Sequence, residues 1–194
     1  MFSEYEITKI LSVINTVTEQ CHPTVVGIDG MTGAGKSTLA SQLTVTIPEA
    51  ITVELDDFYR PIDDVTFTSN RLEDSYHAYF DWQRLIQKVL VPIREGRNPC
   101  YRRFDWETNH MAEVRKLTAG RLILIDGVYA IHSELRPYIG VKLYVETPKD
   151  FRFLRILDRG YKDLSWVKQW MTVEDWYIEH QRPHDHADLV IKGF

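Results

Sequence analysis

Cysteine is scarce. Cys21 and Cys100 are the only two, and neither belongs to a CxxC pair, so the spacing supports neither a zinc site nor a redox motif. Two isolated thiols suit a reducing compartment, and a cytoplasmic location is the expectation. Positive charge is not in excess either. Lys and Arg number 23 against 28 Asp and Glu, a formal net charge of −5. That balance argues against a nucleic-acid binder, which carries a basic face or stripe. No apolar run reaches the ~20 residues a membrane-spanning helix needs, so no membrane association is expected. The stretch 1–19 lacks a basic segment followed by an apolar one, and no signal peptide is read there. Repeats, low-complexity stretches and linkers are also missing. What remains is 194 residues at 44% hydrophobic and 26% charged, which reads as one domain, 1–194, of unknown oligomeric state.

Ser3 and Glu6 have capping-box spacing, and Ile7, Ile10, Leu11, Ile14 and Val17 then recur at helical intervals. A helix is predicted over 4–19. Short β-branched or apolar runs predict strands at 24–29, 51–55, 121–126, 141–145 and 187–191. Helical periodicity appears from Ser37 onward and over 81–95, 149–159 and 163–181. Residues 60–80 read as polar and irregular, and Gly96 to Pro99 as a break. Strands alternating with helices imply an α/β three-layer sandwich around a parallel sheet.

The run Gly30-Met31-Thr32-Gly33-Ala34-Gly35-Lys36-Ser37 matches G-x-x-x-x-G-K-[ST], and Thr38 follows in the helix it opens. Each part has a physical reason. Glycines let the chain turn so that successive N–H groups face phosphate oxygens. The helix start adds its positive end. Lys36 can reach the β- and γ-phosphates, and the Ser37 hydroxyl can bind Mg²⁺. A strand before and a helix after supply the context that a chance match lacks. Guanine selectivity in GTPases rests on an N/T-K-x-D segment. Thr147-Pro148-Lys149-Asp150 puts Lys and Asp side by side instead, so ATP is the expected nucleotide.

Ligands of open α/β sheets bind beyond the carboxyl ends of the strands. Asp126 closes the most apolar strand and is a candidate Mg²⁺ contact, with a turn cap as the bland alternative. Asp56 and Asp57 end the second predicted strand. One of them could take the proton of an attacking hydroxyl, or orient water in a hydrolase. Arg152, Arg155 and Arg159 fall on one helical face, which suits a triphosphate but also a solvated surface paired with Asp158 and Asp163. His180, His184, Asp185 and His186 match no standard metal-ligand spacing.

Together, 26–38 and Asp56-Asp57-Phe58-Tyr59 resemble the uridine kinase, pantothenate kinase and phosphoribulokinase branch of P-loop kinases. The resemblance extends loosely over about 24–192. It includes Tyr79-Phe80-Asp81-Trp82, Tyr101 to Trp106, Asp126-Gly127, the three arginines, and Ala187 to Ile191. It implies ATP and Mg²⁺, with Asp56 and Lys36 catalytic and Ser37, Asp56 and Asp126 at the metal. Residues 30–38, Arg155 and Arg159 would bind ATP, and a helical lid would span about 152–165. A small-molecule acceptor, most simply a nucleoside, would meet Asp57, Tyr59, Tyr79, Arg103 and Asp105. In this register Asn109 stands where uridine kinases carry a His, Phe104 where they carry a Tyr, and Ser75 where they carry an acidic ribose contact. Arg102 and Arg103 could hold an anionic acceptor or cap the local surface. Another alcohol acceptor, such as a pantothenate-like or sugar compound, and a nucleotide-dependent switch with weak ATPase activity are the alternatives.

Overall fold

The computed structural model describes residues 1–18, 23–62, 72–118, 120–161 and 163–193. Its strands are β1 (Thr24–Asp29), β2 (Ala50–Glu54), β3 (Cys100–Asp105), β4 (His110–Lys116), β5 (Leu122–Asp126), β6 (Val141–Glu146) and β7 (Leu189–Lys192). Five of them form a parallel sheet in the order β2-β5-β1-β6-β7, while β3 and β4 form a separate antiparallel hairpin. The helices are α1 (Glu4–Thr18), α2 (Lys36–Thr46), α3 (Leu72–Tyr79), α4 (Trp82–Leu85), α5 (Val91–Arg94), α6 (Lys149–Asp158) and α7 (Leu164–Gln181). A π-helical turn, Ile86–Leu90, joins α4 to α5. None of the described helices is long and apolar enough to cross a membrane.

Alternation along the strands sends side chains to opposite faces of the sheet. Val26, Ile28, Leu122, Leu124, Val141 and Leu143 pack on Ile10 and Ile14 of α1 and on Leu39 and Leu43 of α2. Val25, Val53, Ile123 and Ile125 pack on the other side, against Leu85, Val89, Trp170 and Tyr177. Both faces are therefore covered, as the parallel sheet requires. The capping box at α1 is formed: the Ser3 N–H and hydroxyl donate to Glu6, and the Glu6 N–H donates back to the Ser3 hydroxyl.

Two stretches depart from the sequence reading. Residues 72–79 are helical, not irregular, while 63–71 lie outside the described residues. Glu73 and Asp74 suit the positive end of that short helix, and Tyr76 is buried on the aromatic rings of Tyr129 and Tyr177. The β3–β4 hairpin was not expected. A register shift between Arg102 and Phe104 turns both Tyr101 and Phe104 inward, three positions apart, which breaks the period-2 pattern that marks a strand.

The strands of a parallel sheet present their carboxyl ends along one edge. Register pairs Ile28 with Asp126 and Glu54 with Asp126, so β1, β5 and β2 end level. The glycine-rich loop leaves β1 at this edge, and Asp56 follows two residues beyond Glu54, in a 3₁₀ turn spanning Leu55–Phe58.

Candidate active site

The loop after β1 turns through glycines at left-handed or related angles: φ is 142° at Gly30, 81° at Gly33 and 108° at Gly35. A Cβ on Gly30 would lie 2.4 Å from the Val145 carbonyl oxygen, and one on Gly33 2.7 Å from that of Arg152. The loop carbonyls are engaged from outside. Met31 O accepts from Lys36 Nζ at 3.2 Å, Gly33 O from Arg155 Nη1 at 2.8 Å, and Ala34 O from Thr147 Oγ1 at 2.9 Å. Within the loop, the Gly30, Thr32 and Ala34 N–H groups donate to Asp29, Glu174 and the Met31 carbonyl respectively. Gly35 gives α2 no side-chain cap, so the first-turn N–H groups of Lys36, Ser37 and Thr38 are not taken by one.

Asp29 anchors the loop's base. Its carboxylate is fully buried and accepts from the N–H groups of Gly30 at 2.6 Å, Tyr129 at 3.1 Å and Ile131 at 2.7 Å, and from the Tyr177 hydroxyl at 2.6 Å. Burial pushes its carboxyl up, and these hydrogen bonds oppose that shift. The β1 end, the turn after β5 and α7 thus meet on one side chain.

A cleft of about 970 Å³ opens over the strand ends. Lys36, Ser37, Asp56, Asp126 and Arg159 line it together. The Ser37 hydroxyl lies near Asp126, whose Oδ1 is buried with no hydrogen-bond partner among the described residues. Burial raises the Asp126 carboxyl, and Lys36 and the Ser37 hydroxyl pull it back. Burial is also the main cause at Asp56. It is offset by Lys36 and reinforced by Asp126, Glu54 and Asp57, and the carboxyl is pushed up to about 6. Asp56 still reaches the cleft's water, which moderates that effect.

The orphaned Asp126 oxygen, the Ser37 hydroxyl and Asp56 are hard oxygen donors, the set Mg²⁺ takes. Among the described residues no group of three or more His, Cys, Asp and Glu side chains could hold a metal ion.

The cleft is also lined by aromatic side chains, Tyr59, Trp106, Trp166 and Trp170. Tyr59 lies 4.8 Å from Trp106 and 5.5 Å from Trp170, and Trp166 lies 5.3 Å from Trp170, all edge-to-face between ring centroids. The hairpin tip thereby meets the start of α7 across the cleft.

Of the acceptor-side residues, the structure brings only Tyr59 into this cleft. The Asp57 carboxylate turns away and accepts from the Tyr101 hydroxyl and from Arg115, each at 2.9 Å, which ties the 3₁₀ turn to the hairpin. Tyr79 is buried beside Trp170 without lining the cleft. Arg103 pairs with Glu113 across the hairpin, and Asp105 accepts from the Glu107 N–H in the hairpin turn. Asn109, at φ 55°, holds both the N–H and the C=O of Ile62 with its amide. The arginines also divide. Arg152 and Arg155 grip loop carbonyls, while Arg159 faces the cleft. The cleft adds residues the motifs did not indicate: Glu54, Val128 and Glu174. Glu174 had one legible signal, an acidic residue within the buried α7 stripe Trp170, Val173 and Tyr177.

The model of the phosphoribulokinase / uridine kinase family matches residues 25–193. The chain belongs to that family. The uridine kinase of Macrococcus caseolyticus is 31% identical over 184 residues, covering 87% of each chain. The uridine kinase of Borrelia duttonii is 27% identical over 177 residues, 86% of this chain and 85% of the relative. Among solved structures, a "Possible Uridine Kinase" from Bacillus stearothermophilus superposes with a TM-score of 0.71 at 22% identity, covering 94% of this chain and 99% of that one. The D-glycerate 3-kinase of Cryptococcus neoformans shares the fold at a TM-score of 0.56 and 12% identity, over 94% of this chain and 88% of that one. As a member of the family, the chain is an ATP-dependent small-molecule kinase.

Proposed function

We propose that the γ-phosphoryl group of ATP is transferred here to a hydroxyl of a neutral small molecule, a nucleoside of the uridine or cytidine type, in the cytoplasm. The observation that carries this reading is the cleft itself. A phosphate loop, Lys36, two strand-end carboxylates and a set of aromatic rings line one cleft together. Residues 30–38 would hold the nucleotide phosphates, through the backbone N–H groups that Asp29, Glu174 and Met31 do not take, with Lys36 and Arg159 supplying positive charge. Arg155 shapes the loop through its carbonyls. In this reading 1–194 is one domain, with 152–165 as its lid.

Ser37, Asp126 and Asp56 would hold Mg²⁺, which when bound neutralises charge on the phosphate oxygens. The chemistry of the chain itself is then brief. The acceptor oxygen attacks the γ-phosphorus in line, and its proton passes to a carboxylate oxygen of Asp56. The bond from phosphorus to the bridging oxygen breaks, and ADP leaves with that electron pair.

Among the described residues the only cations lining the cleft are Lys36 and Arg159. Arg103, outside the cleft, pairs with Glu113 on the hairpin. A planar base can stack on the aromatic rings of the cleft. Such stacking is worth about 1–3 kcal/mol per base, so Trp106→Ala is expected to raise the acceptor KM about tenfold or more while the ATP KM stays near wild type. Steady-state kinetics with each substrate varied in turn checks this. A rise in the ATP KM alone would remove Trp106 from the acceptor site.

A further inference from the structure

Glu174 sits in the middle of α7 and is 3% exposed. Sealing a carboxylate from water is costly unless hydrogen bonds and opposite charge compensate. All of its compensating partners belong to the nucleotide end of the cleft. The Thr32 N–H donates to Oε2 at 2.9 Å, and the Thr32 hydroxyl donates to Oε1. Arg152 Nη1 lies 3.9 Å from Oε2, and the charge of Lys36 acts on the same group. Burial raises the Glu174 carboxyl, and Thr32, Lys36 and Arg152 each oppose the rise.

The arrangement is a clamp on one residue. Arg152 donates to the Thr32 carbonyl at 3.5 Å and to the Thr147 carbonyl at 3.1 Å. The N–H and C=O of Thr32 are therefore held from α7 and α6 respectively. The next residue, Gly33, has φ 81° and no side chain, so the chain on that side resists bending little by itself. A loop of three glycines in eight residues keeps a fixed shape only if something outside it does the fixing. Each Glu174 oxygen accepts one hydrogen bond from Thr32.

We propose that Glu174 is a positioning residue of the donor site: by holding Thr32, the third residue of the phosphate loop, it keeps the loop in its phosphate-binding shape before nucleotide arrives. This inference rests on reading residues 30–38 as the nucleotide site. Glu174 acts through Thr32 and touches no reacting atom. α7 also carries Trp166 and Trp170, at four-residue intervals before Glu174, so one helical stripe brings all three to the cleft.

The test is a direct titration of the full chain with a non-hydrolysable ATP analogue and Mg²⁺, alongside thermal unfolding without nucleotide. Glu174→Ala is expected to weaken analogue binding about tenfold, the size of one lost charge-assisted hydrogen bond. Glu174→Gln keeps an oxygen for the Thr32 N–H and is expected to recover most of that loss. Thr32→Val is expected to weaken binding about threefold alone and to add little in the Glu174→Ala background, because the two act as one unit. Wild-type affinity in Glu174→Ala would overturn the inference, as would a loss that Gln does not restore. If Glu174→Ala fails to fold, Thr32→Val decides: weaker binding supports the clamp and unchanged binding overturns it. A wild-type chain that does not bind the analogue would overturn the nucleotide site and this inference together, whereas normal binding insensitive to these substitutions would overturn the inference alone.

Discussion

Asp56→Asn is expected to bind ATP about as well as wild type and to lose turnover by about 10²–10⁴-fold, the span associated with removing a general base. The substitution keeps the shape and removes the proton acceptor. Asp56 is suited to the part by position and environment. It follows β2 at the carboxyl edge of the sheet and lines the cleft with Lys36 and Asp126, and the carboxylates of Asp126, Glu54 and Asp57 act to raise its carboxyl. A base whose pKa approaches neutrality accepts a proton with less opposing driving force than an ordinary carboxylate does. Asp56 also stands among the proposed Mg²⁺ contacts, and the two roles separate by measurement. If its chief task is at the metal, excess Mg²⁺ restores turnover to Asp56→Asn. If it is the base, added Mg²⁺ leaves turnover low. Asp126→Asn is expected to behave the opposite way, since it removes the negative charge of the carboxylate near Ser37 and leaves Asp56 in place.

Asp29→Ala is expected to be the most destabilising single change near the site, at about 3–5 kcal/mol. Asp29 has no solvent exposure and accepts four hydrogen bonds. Its removal orphans three buried backbone N–H groups and the Tyr177 hydroxyl, and each buried donor without a partner costs about 1–3 kcal/mol. Neutral replacement also spares the protein a buried negative charge, so the sum falls well below four times the upper figure. Urea unfolding followed by tryptophan fluorescence measures it: the midpoint should fall steeply while the slope against urea stays near wild type. A shift below about 1 kcal/mol would show that water or neighbouring groups replace the carboxylate, and Asp29 would then not be the anchor of the loop's base.

The parallel sheet and the donor end of the cleft were legible because their determinants are local. Apolar runs at 24–29 and 121–126 announce buried strands, and Gly30 to Ser37 must lie where glycine conformations and a helix start coincide. The acceptor side was less legible because its contacts are distant in sequence. Asp57 is adjacent to Asp56, yet the 3₁₀ turn directs the two carboxylates differently, one to the cleft and one to Tyr101 and Arg115 on the hairpin. The bulge at Arg102 to Phe104 hid the hairpin, in which Arg103 pairs with Glu113 and Asp105 accepts from the Glu107 N–H. Arg152 and Arg155 share a helical face with Arg159, but the phosphate loop packs against that face, and only Arg159 is left to the cleft. Glu174 was invisible as a motif, since its partner Thr32 is 142 residues away.

The central claim is that the aromatic rings of the cleft receive a neutral alcohol and the loop supplies it with phosphate. The most direct measurement is acceptor-dependent release of ADP from Mg²⁺-ATP, compared among uridine, cytidine, pantothenate, D-glycerate and buffer alone, with Asp56→Asn as the control. Release well above buffer is expected with a neutral nucleoside, little with the two carboxylate-bearing alcohols, and none of the acceptor-dependent part in the variant. Release that no acceptor raises above the water background would contradict it.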